Sequence, residues 1–193
     1  MEANNKLTIP KILPFMCLDG VYLINNCLLP LHIFEMRYRE MLDSVLNDSR
    51  IFGIAPGKIK ISTSKKIYAS IGIVQACKKK DNGTSDLLLI GLAKVRIKRL
   101  YFNKPYLQGE ISLINNEDKK LDQNIENKII NIIKEKKPSN DFYNSFIDSF
   151  RTLNSYDAKI DYAASIVTES NKKREEIFNC IDIDKKINLL EEL

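Results

Sequence analysis

Chemistry needs particular side chains at particular spacings, and this chain of 193 residues offers few of them. Its one histidine, His32, has no cysteine or second histidine nearby, so a zinc site of ordinary ligand spacing is not expected. Cys17, Cys27, Cys77 and Cys180 sit in apolar settings without a C-x-x-C pair. Their irregular spacing predicts buried, unreactive thiols, with no disulfide framework. Two Asp-Ser pairs, Asp43-Ser44 and Asp148-Ser149, fall inside amphipathic helical patterns, and neither serine has a nucleophile elbow around it. The carboxylates are scattered and offer no acid and base pair. No catalytic residue, metal ligand or cofactor is expected.

The segment richest in usable groups runs from His32 to Arg39, and two readings of it are open. In the structural one, Phe34 and Tyr38 are core, Glu35 pairs with Arg39 one helical turn away, and His32 is bonded near the helix start. In the functional one, His32, Phe34, Glu35, Arg37 and Tyr38 form a peptide- or protein-binding surface. That surface would be a groove between two parts of the fold, with apolar walls and polar edges at His32, Glu35 and Arg37.

The elements that must position this segment follow from hydrophobic period. ILPFMCL (12–18) reads as an extended apolar segment, LLPLHIF as another, and an amphipathic helix follows with Phe34, Tyr38, Met41, Leu42 and Val45 on one face. IFGIA is a short strand. A long hairpin is expected from about Ile67 to Lys79 and from Leu87 to Leu100, turning at Asp81-Asn82-Gly83. YLQGEISLI makes one more strand. From Asn116 the period changes to 3.6. Ile125, Ile129, Ile132 and Ile133 line a helix that must end before Pro138. Phe142, Phe146, Phe150 and Leu153 line a second, and Ile160, Ala163, Ala164 and Val167 a third. Two short helices follow Ser170 and break near Asp182, a plausible N-cap. The fold class is α+β: a strand-rich front over residues 1–115 and a helical bundle over 116–193.

Hydrophobic residues make up 44% of the chain and charged ones 28%, a mixture that argues for a globular protein and against disorder. No apolar run approaches the roughly 20 residues that span a bilayer, and the N-terminus lacks the pattern of a signal peptide. A cytoplasmic location without membrane attachment is expected. The net charge of +5 is unevenly spread. Residues 1–115 carry 17 Lys and Arg against 9 Asp and Glu, whereas residues 116–193 carry 13 against 16. A basic front half suits an anionic partner such as RNA; it also suits a general drift toward Lys, Asn and Ile.

The run LPFMCLDGVYLINNCLLPLHIFEMRYREML, Leu13 to Leu42, resembles the opening of the Lon protease N-terminal domain, most closely the small stand-alone proteins made of that domain only. Leu29, Pro30, Leu31, His32, Ile33, Phe34, Glu35, Arg37 and Tyr38 fit the family's pattern without a gap. IGIVQACKKKDNGTSDLLLIGLAKVRIKRLYFNKPYLQGEI resembles the family's hairpin and the strands after it. There Gly91, Arg96, Pro105, Tyr106 and Leu107 match, while Lys94 and Lys104 stand where Arg is usual. IDIDKKINLLEEL looks like its closing helix. The family's Phe-Pro-Gly turn is Ile24-Asn25-Asn26 here, and Asn enters the left-handed region readily enough to keep a turn.

The resemblance implies a PUA-like β-barrel with one amphipathic helix, followed by a C-terminal helical bundle. It also implies substrate capture without catalysis, because the family's ATPase and Ser-Lys peptidase modules lie elsewhere and no G-x-x-x-x-G-K-[ST] loop occurs in this sequence. The expected partner is an unfolded or hydrophobic polypeptide, or a partner protein in proteostasis. RNA binding by the basic barrel is the second expectation, and it rests on fold analogy with other PUA-like barrels.

Overall fold

The structure, a computed structural model, describes residues 7–57, 59, 66–114, 122–136 and 141–193. Six strands come first, interrupted by one helix: β1 (Ile12–Leu18), β2 (Leu28–Ile33), α1 (Met36–Leu46), β3 (Ile51–Pro56), β4 (Ile67–Lys79), β5 (Ser85–Tyr101) and β6 (Leu107–Leu113). Five helices follow: α2 (Gln123–Lys136), α3 (Asp141–Arg151), α4 (Tyr156–Val167), α5 (Asn171–Asn179) and α6 (Ile183–Glu191).

The long strand β5 closes the sheet. Its first half pairs with β2 on one side and β4 on the other, and its second half pairs with β4 and β6. Because β6 also pairs with β1, β1 with β3, and β3 with β4, five strands form a closed ring and β2 is left outside it as a flap on β5. Closure removes the exposed edges of those five strands and leaves only the outer edge of β2 unpaired among the named strands. Two glycines leave room for the barrel core: a Cβ on Gly53 would lie 2.1 Å from the Phe15 ring, its register partner, and one on Gly109 would lie 3.1 Å from the ring's other side. Phe15 is wholly buried there.

α1 caps one end of the barrel with Tyr38, Met41, Leu42 and Val45. Phe34, expected on that same face, is 63% exposed. The reason is that the helix begins only at Met36, after Glu35 in an extended conformation (φ −65°, ψ 132°), so Phe34 lies outside the 3.6-residue phase. The hairpin runs and turn match their expected places.

In the bundle, Ile129, Ile132, Ile133, Phe146, Phe150, Ile160, Ala163 and Ala164 form one core, and the Asp182 side chain caps α6 by accepting from Lys185 N at 3.1 Å. Phe142 lies in α3, but its side chain falls outside the described residues. Much of the stretch between Gly57 and Lys66, and the stretch around Asn116 where the period changes, also fall outside them. Among the described residues no helix is long and apolar enough to cross a membrane. The four cysteines are free and half-buried, where full burial was expected; burial still pushes the thiols of Cys17 and Cys27 up.

One of the places where barrel and bundle meet is a buried charge cluster. Lys94 on β5 is 8% exposed, and its Nζ lies 2.9 Å from Asp157 Oδ2 and 2.9 Å from Asp161 Oδ2 on α4. It also donates to the Phe178 carbonyl at 2.9 Å and sits 4.2 Å from the centre of that ring. Lys186 of α6, fully buried, meets Asp157 Oδ1 at 2.5 Å and Asp161 Oδ1 at 2.7 Å from the far side. Two cations and two anions thus neutralise one another away from water, the condition under which buried charge is tolerable.

Candidate functional site

The period of LLPLHIF decides which side chains face solvent. Strand residues alternate between faces, so the half-buried Leu29 and Leu31 and the buried Ile33 point in, while Leu28, Pro30 and His32 point out. Register extends this across three strands. Pro30 is opposite Leu88, which is opposite Ala76; His32 is opposite Asp86, which is opposite Lys78. Together with Leu31, Leu87 and Cys77, these residues line an open cleft of about 560 Å³.

Apolar surface gathers around this cleft. Among the described residues nine large apolar side chains are exposed, and four of them are Leu28 on β2, Phe34 between β2 and α1, Met36 at the start of α1 and Leu88 on β5. Phe34 stacks on His32 with ring centres 6.1 Å apart. Exposed apolar residues scattered singly are ordinary; here Leu88 lines the cleft, Leu28 is one outward position along β2 from the lining residue Pro30, and Phe34 adjoins the lining residue His32.

The polar edge is an ion-pair chain. His32 Nδ1 lies 2.6 Å from Asp86 Oδ1, and Lys80 Nζ lies 2.7 Å from Asp86 Oδ2. An ionised carboxylate only accepts, so His32 carries its proton on Nδ1. The hydrogen bonds from Lys80 and then His32 hold the Asp86 carboxyl below the ordinary carboxylate range. Glu35 pairs with Arg37 at 2.8 Å and not with Arg39. The extended backbone at Glu35 takes it out of the i,i+4 geometry that a pair with Arg39 needs. Arg39 instead lies over the hairpin turn, where its guanidinium would be 2.0 Å from a Cβ on Gly83.

The five expected site residues therefore divide. His32 lines the cleft and Phe34 stacks on it, whereas Glu35 and Arg37 pair with each other outside its lining. Tyr38 is 3% exposed; its hydroxyl accepts from Cys17 N at 3.1 Å, its ring lies under the Arg37 guanidinium, and it holds α1 against β1. The groove expected between barrel and bundle is a separate cavity of about 220 Å³, lined by Tyr22, Leu29, Asp161, Arg174 and Phe178 among others and by none of the five. Sequence reading missed Leu28, Pro30, Leu88 and Asp86. The signal for the first two was the outward phase of β2, apolar where a solvent face is usually polar.

The catalytic candidates are apart from His32. Ser149 Oγ donates to the Ser145 carbonyl at 3.1 Å, Asp148 faces Arg151, and Asp43 faces Lys79 at 3.3 Å. Among the described residues no group of three His, Cys, Asp or Glu side chains converges as a metal site would require.

Comparison with known proteins places this geometry in context. The family model of the ATP-dependent protease La (LON) substrate-binding domain matches residues 12–193. A Lon protease of Desulfosudis oleivorans is 23% identical over 191 residues, and one of Dictyoglomus thermophilum is 22% identical over 129. These matches cover 93% and 65% of this chain but only 23% and 16% of the relatives' lengths, so the chain spans less than a quarter of either. Among solved structures, the N-terminal domain of a Mycobacterium avium complex Lon protease superposes with a TM-score of 0.70 at 14% identity, covering 94% of this chain and 97% of that one. A Lon N-terminal domain protein from Xanthomonas campestris gives 0.64 at 16% identity, covering 93% and 96%. At these identities the likeness is one of fold.

Proposed function

The chain belongs to the Lon substrate-binding domain family, and from that premise we propose that it is a non-enzymatic module that captures unfolded or hydrophobic polypeptide segments in the cleft over β2, β5 and β4. The observation that carries this reading is one open cleft lined by the exposed Leu88, with the exposed Leu28 and Phe34 beside its lining residues Pro30 and His32. Burying them against an apolar segment releases about 25 cal/mol for each Å² removed from water. His32, Glu35 and Arg37 supply a polar rim that fixes the segment's direction, and Tyr38 positions α1 beneath it.

The test is titration of a labelled, permanently unfolded polypeptide into the protein at about 50 and 200 mM salt. Capture by apolar contact predicts an affinity that changes little between the two, because burial of apolar surface is barely screened. The Leu28→Ser/Phe34→Ser/Leu88→Ser variant should bind at least tenfold more weakly with an unchanged melting temperature. Unchanged affinity in that variant would remove the cleft from consideration.

A further inference from the structure

The basic excess of the front half is not evenly available. Lys79 and Lys80 are paired with Asp43 and Asp86, and Lys94 is buried among carboxylates. At the far end of β5 the situation reverses. Arg96, Lys98, Arg99 and Lys104 are all exposed, and none of their side chains takes part in the ion pairs or hydrogen bonds formed among the described residues. The carboxylate in register with them is Glu110, opposite Arg99.

The backbone puts these cations on view. A register shift between Ile97 and Arg99 interrupts the β5–β6 ladder, and a bulge of this kind re-aims consecutive side chains, so that Lys98 and Arg99 both reach solvent. Arg96 and Lys98, two residues apart on one strand, stand roughly 6.7 Å from each other along it, close to the spacing of successive phosphates in an extended nucleic-acid strand. Lys66 is one residue beyond the Ile67–Ile97 pair and so comes beside Lys98. Like charges set side by side cost stability, and an anionic partner relieves that cost. Next to the group, Phe102 is 64% exposed and offers a bare aromatic ring.

We propose that this end of the barrel, Arg96, Lys98, Arg99 and Lys104 with Phe102, binds single-stranded nucleic acid, the cations meeting phosphates and the ring stacking on one base. Cations and an exposed ring together are what a single strand recognises; a duplex hides its base faces from such a ring. The site is distinct from the polypeptide cleft, since Arg96 is eight residues and roughly 26 Å along β5 from Leu88.

The experiment is fluorescence anisotropy of the full chain with a labelled 16-nucleotide oligouridine and, as a second arm, oligothymidine, from about 50 to 200 mM salt. Four phosphate contacts predict a slope of log affinity against log salt of about −3, at roughly −0.7 per contact for a single strand. The Arg96→Gln/Lys98→Gln/Arg99→Gln variant should flatten that slope by about 2. Phe102→Ala should weaken binding roughly 5- to 150-fold with the slope unchanged. A Lys78→Gln/Lys80→Gln control, at the other end of β5, should bind like the unaltered protein.

Preference between the two oligonucleotides identifies the sugar that is read, and either result supports the site. No binding at 50 mM salt overturns the proposal. So does competition by polyglutamate as effective as that by unlabelled oligouridine, coupled with an indifferent Phe102→Ala, because the patch is then a generic polyanion surface. Binding to phosphatidylserine vesicles without binding to either oligonucleotide overturns it as well. All the substitutions are at exposed positions, and a melting curve for each variant separates lost binding from lost fold.

Discussion

Lys94 on β5 reaches Asp161 on α4, with 2.9 Å between Nζ and Oδ2, and in doing so carries the charge that joins the barrel to the bundle. Burial works against the Lys94 ammonium, but the attraction of Asp161 and Asp157 outweighs it, and the group's pKa is raised above the ordinary lysine value. Removing this cation leaves two buried carboxylates facing Lys186 alone. Lys94→Met should therefore lose about 3–5 kcal/mol of stability, the cost of breaking a buried pair from one side. Asp157→Asn in the same background restores the balance of charge, so the double variant should lose less than the sum of the two single losses. Denaturant melts of the four proteins check this.

The same cluster sets an acid limit. Burial raises the Asp157 carboxyl, yet Lys186 and Lys94 overcome it and hold the group below the ordinary carboxylate range. A carboxyl whose folded pKa is depressed contributes stability that is present above its unfolded pKa, about 3.9, and is lost as pH falls through the folded value. Melting temperature should thus decline on acidification below about pH 4, and Asp157→Asn should show a shallower decline. For Lys94 the sign is opposite: its contribution is complete below about pH 10.4 and fades only as pH rises through the higher folded value.

The hairpin was legible because Asn82-Gly83 is a turn in its own right and β4 and β5 flank it closely in sequence. The core face of α1 was legible from Tyr38 to Val45, where spacing alone decides. Phe34 was not, because its place depends on where the helix starts, and Glu35 caps the helix with its backbone while making no side-chain capping bond that its sequence could announce. The partner of His32 was illegible for another reason. Asp86 is 54 positions away, and only the β2–β5 register brings the two together. Lys94 stands where the family pattern usually has Arg, but its burial was illegible, since nothing local distinguishes a lysine that a later helix will cover. The resemblance to a known family singled out the His32–Tyr38 segment, but which of its side chains face outward follows from strand phase.

The turn into β2 makes a prediction of its own. Asn26 has φ of +61° and donates its N–H to the Gly91 carbonyl at 2.9 Å, while a Cβ on Gly91 would lie 2.1 Å from the Ile24 carbonyl oxygen. Asn26→Gly should leave stability unchanged or slightly raised, because glycine enters the left-handed region without cost. Asn26→Val should lose about 1–2 kcal/mol, the penalty for a side chain in that region. Gly91→Ala should be worse than either, since the obstructing atom is backbone and cannot swing aside. Thermal melts rank the three.

Phe34 and Tyr38, four residues apart, should respond in opposite ways. Phe34 is 63% exposed at the edge of the cleft, so Phe34→Ser removes contact area from the bound segment and little from the fold: weaker polypeptide binding, unchanged melting temperature. Tyr38 is buried, and its hydroxyl serves the Cys17 N–H. Tyr38→Phe takes away the partner of that half-buried donor, which costs about 1 kcal/mol, while the outward face of β2 is untouched. Its signature is a lower melting temperature with polypeptide affinity unchanged at temperatures where the protein is folded. If both variants lose affinity in proportion to stability, the segment is structural throughout and the binding surface lies elsewhere on the molecule.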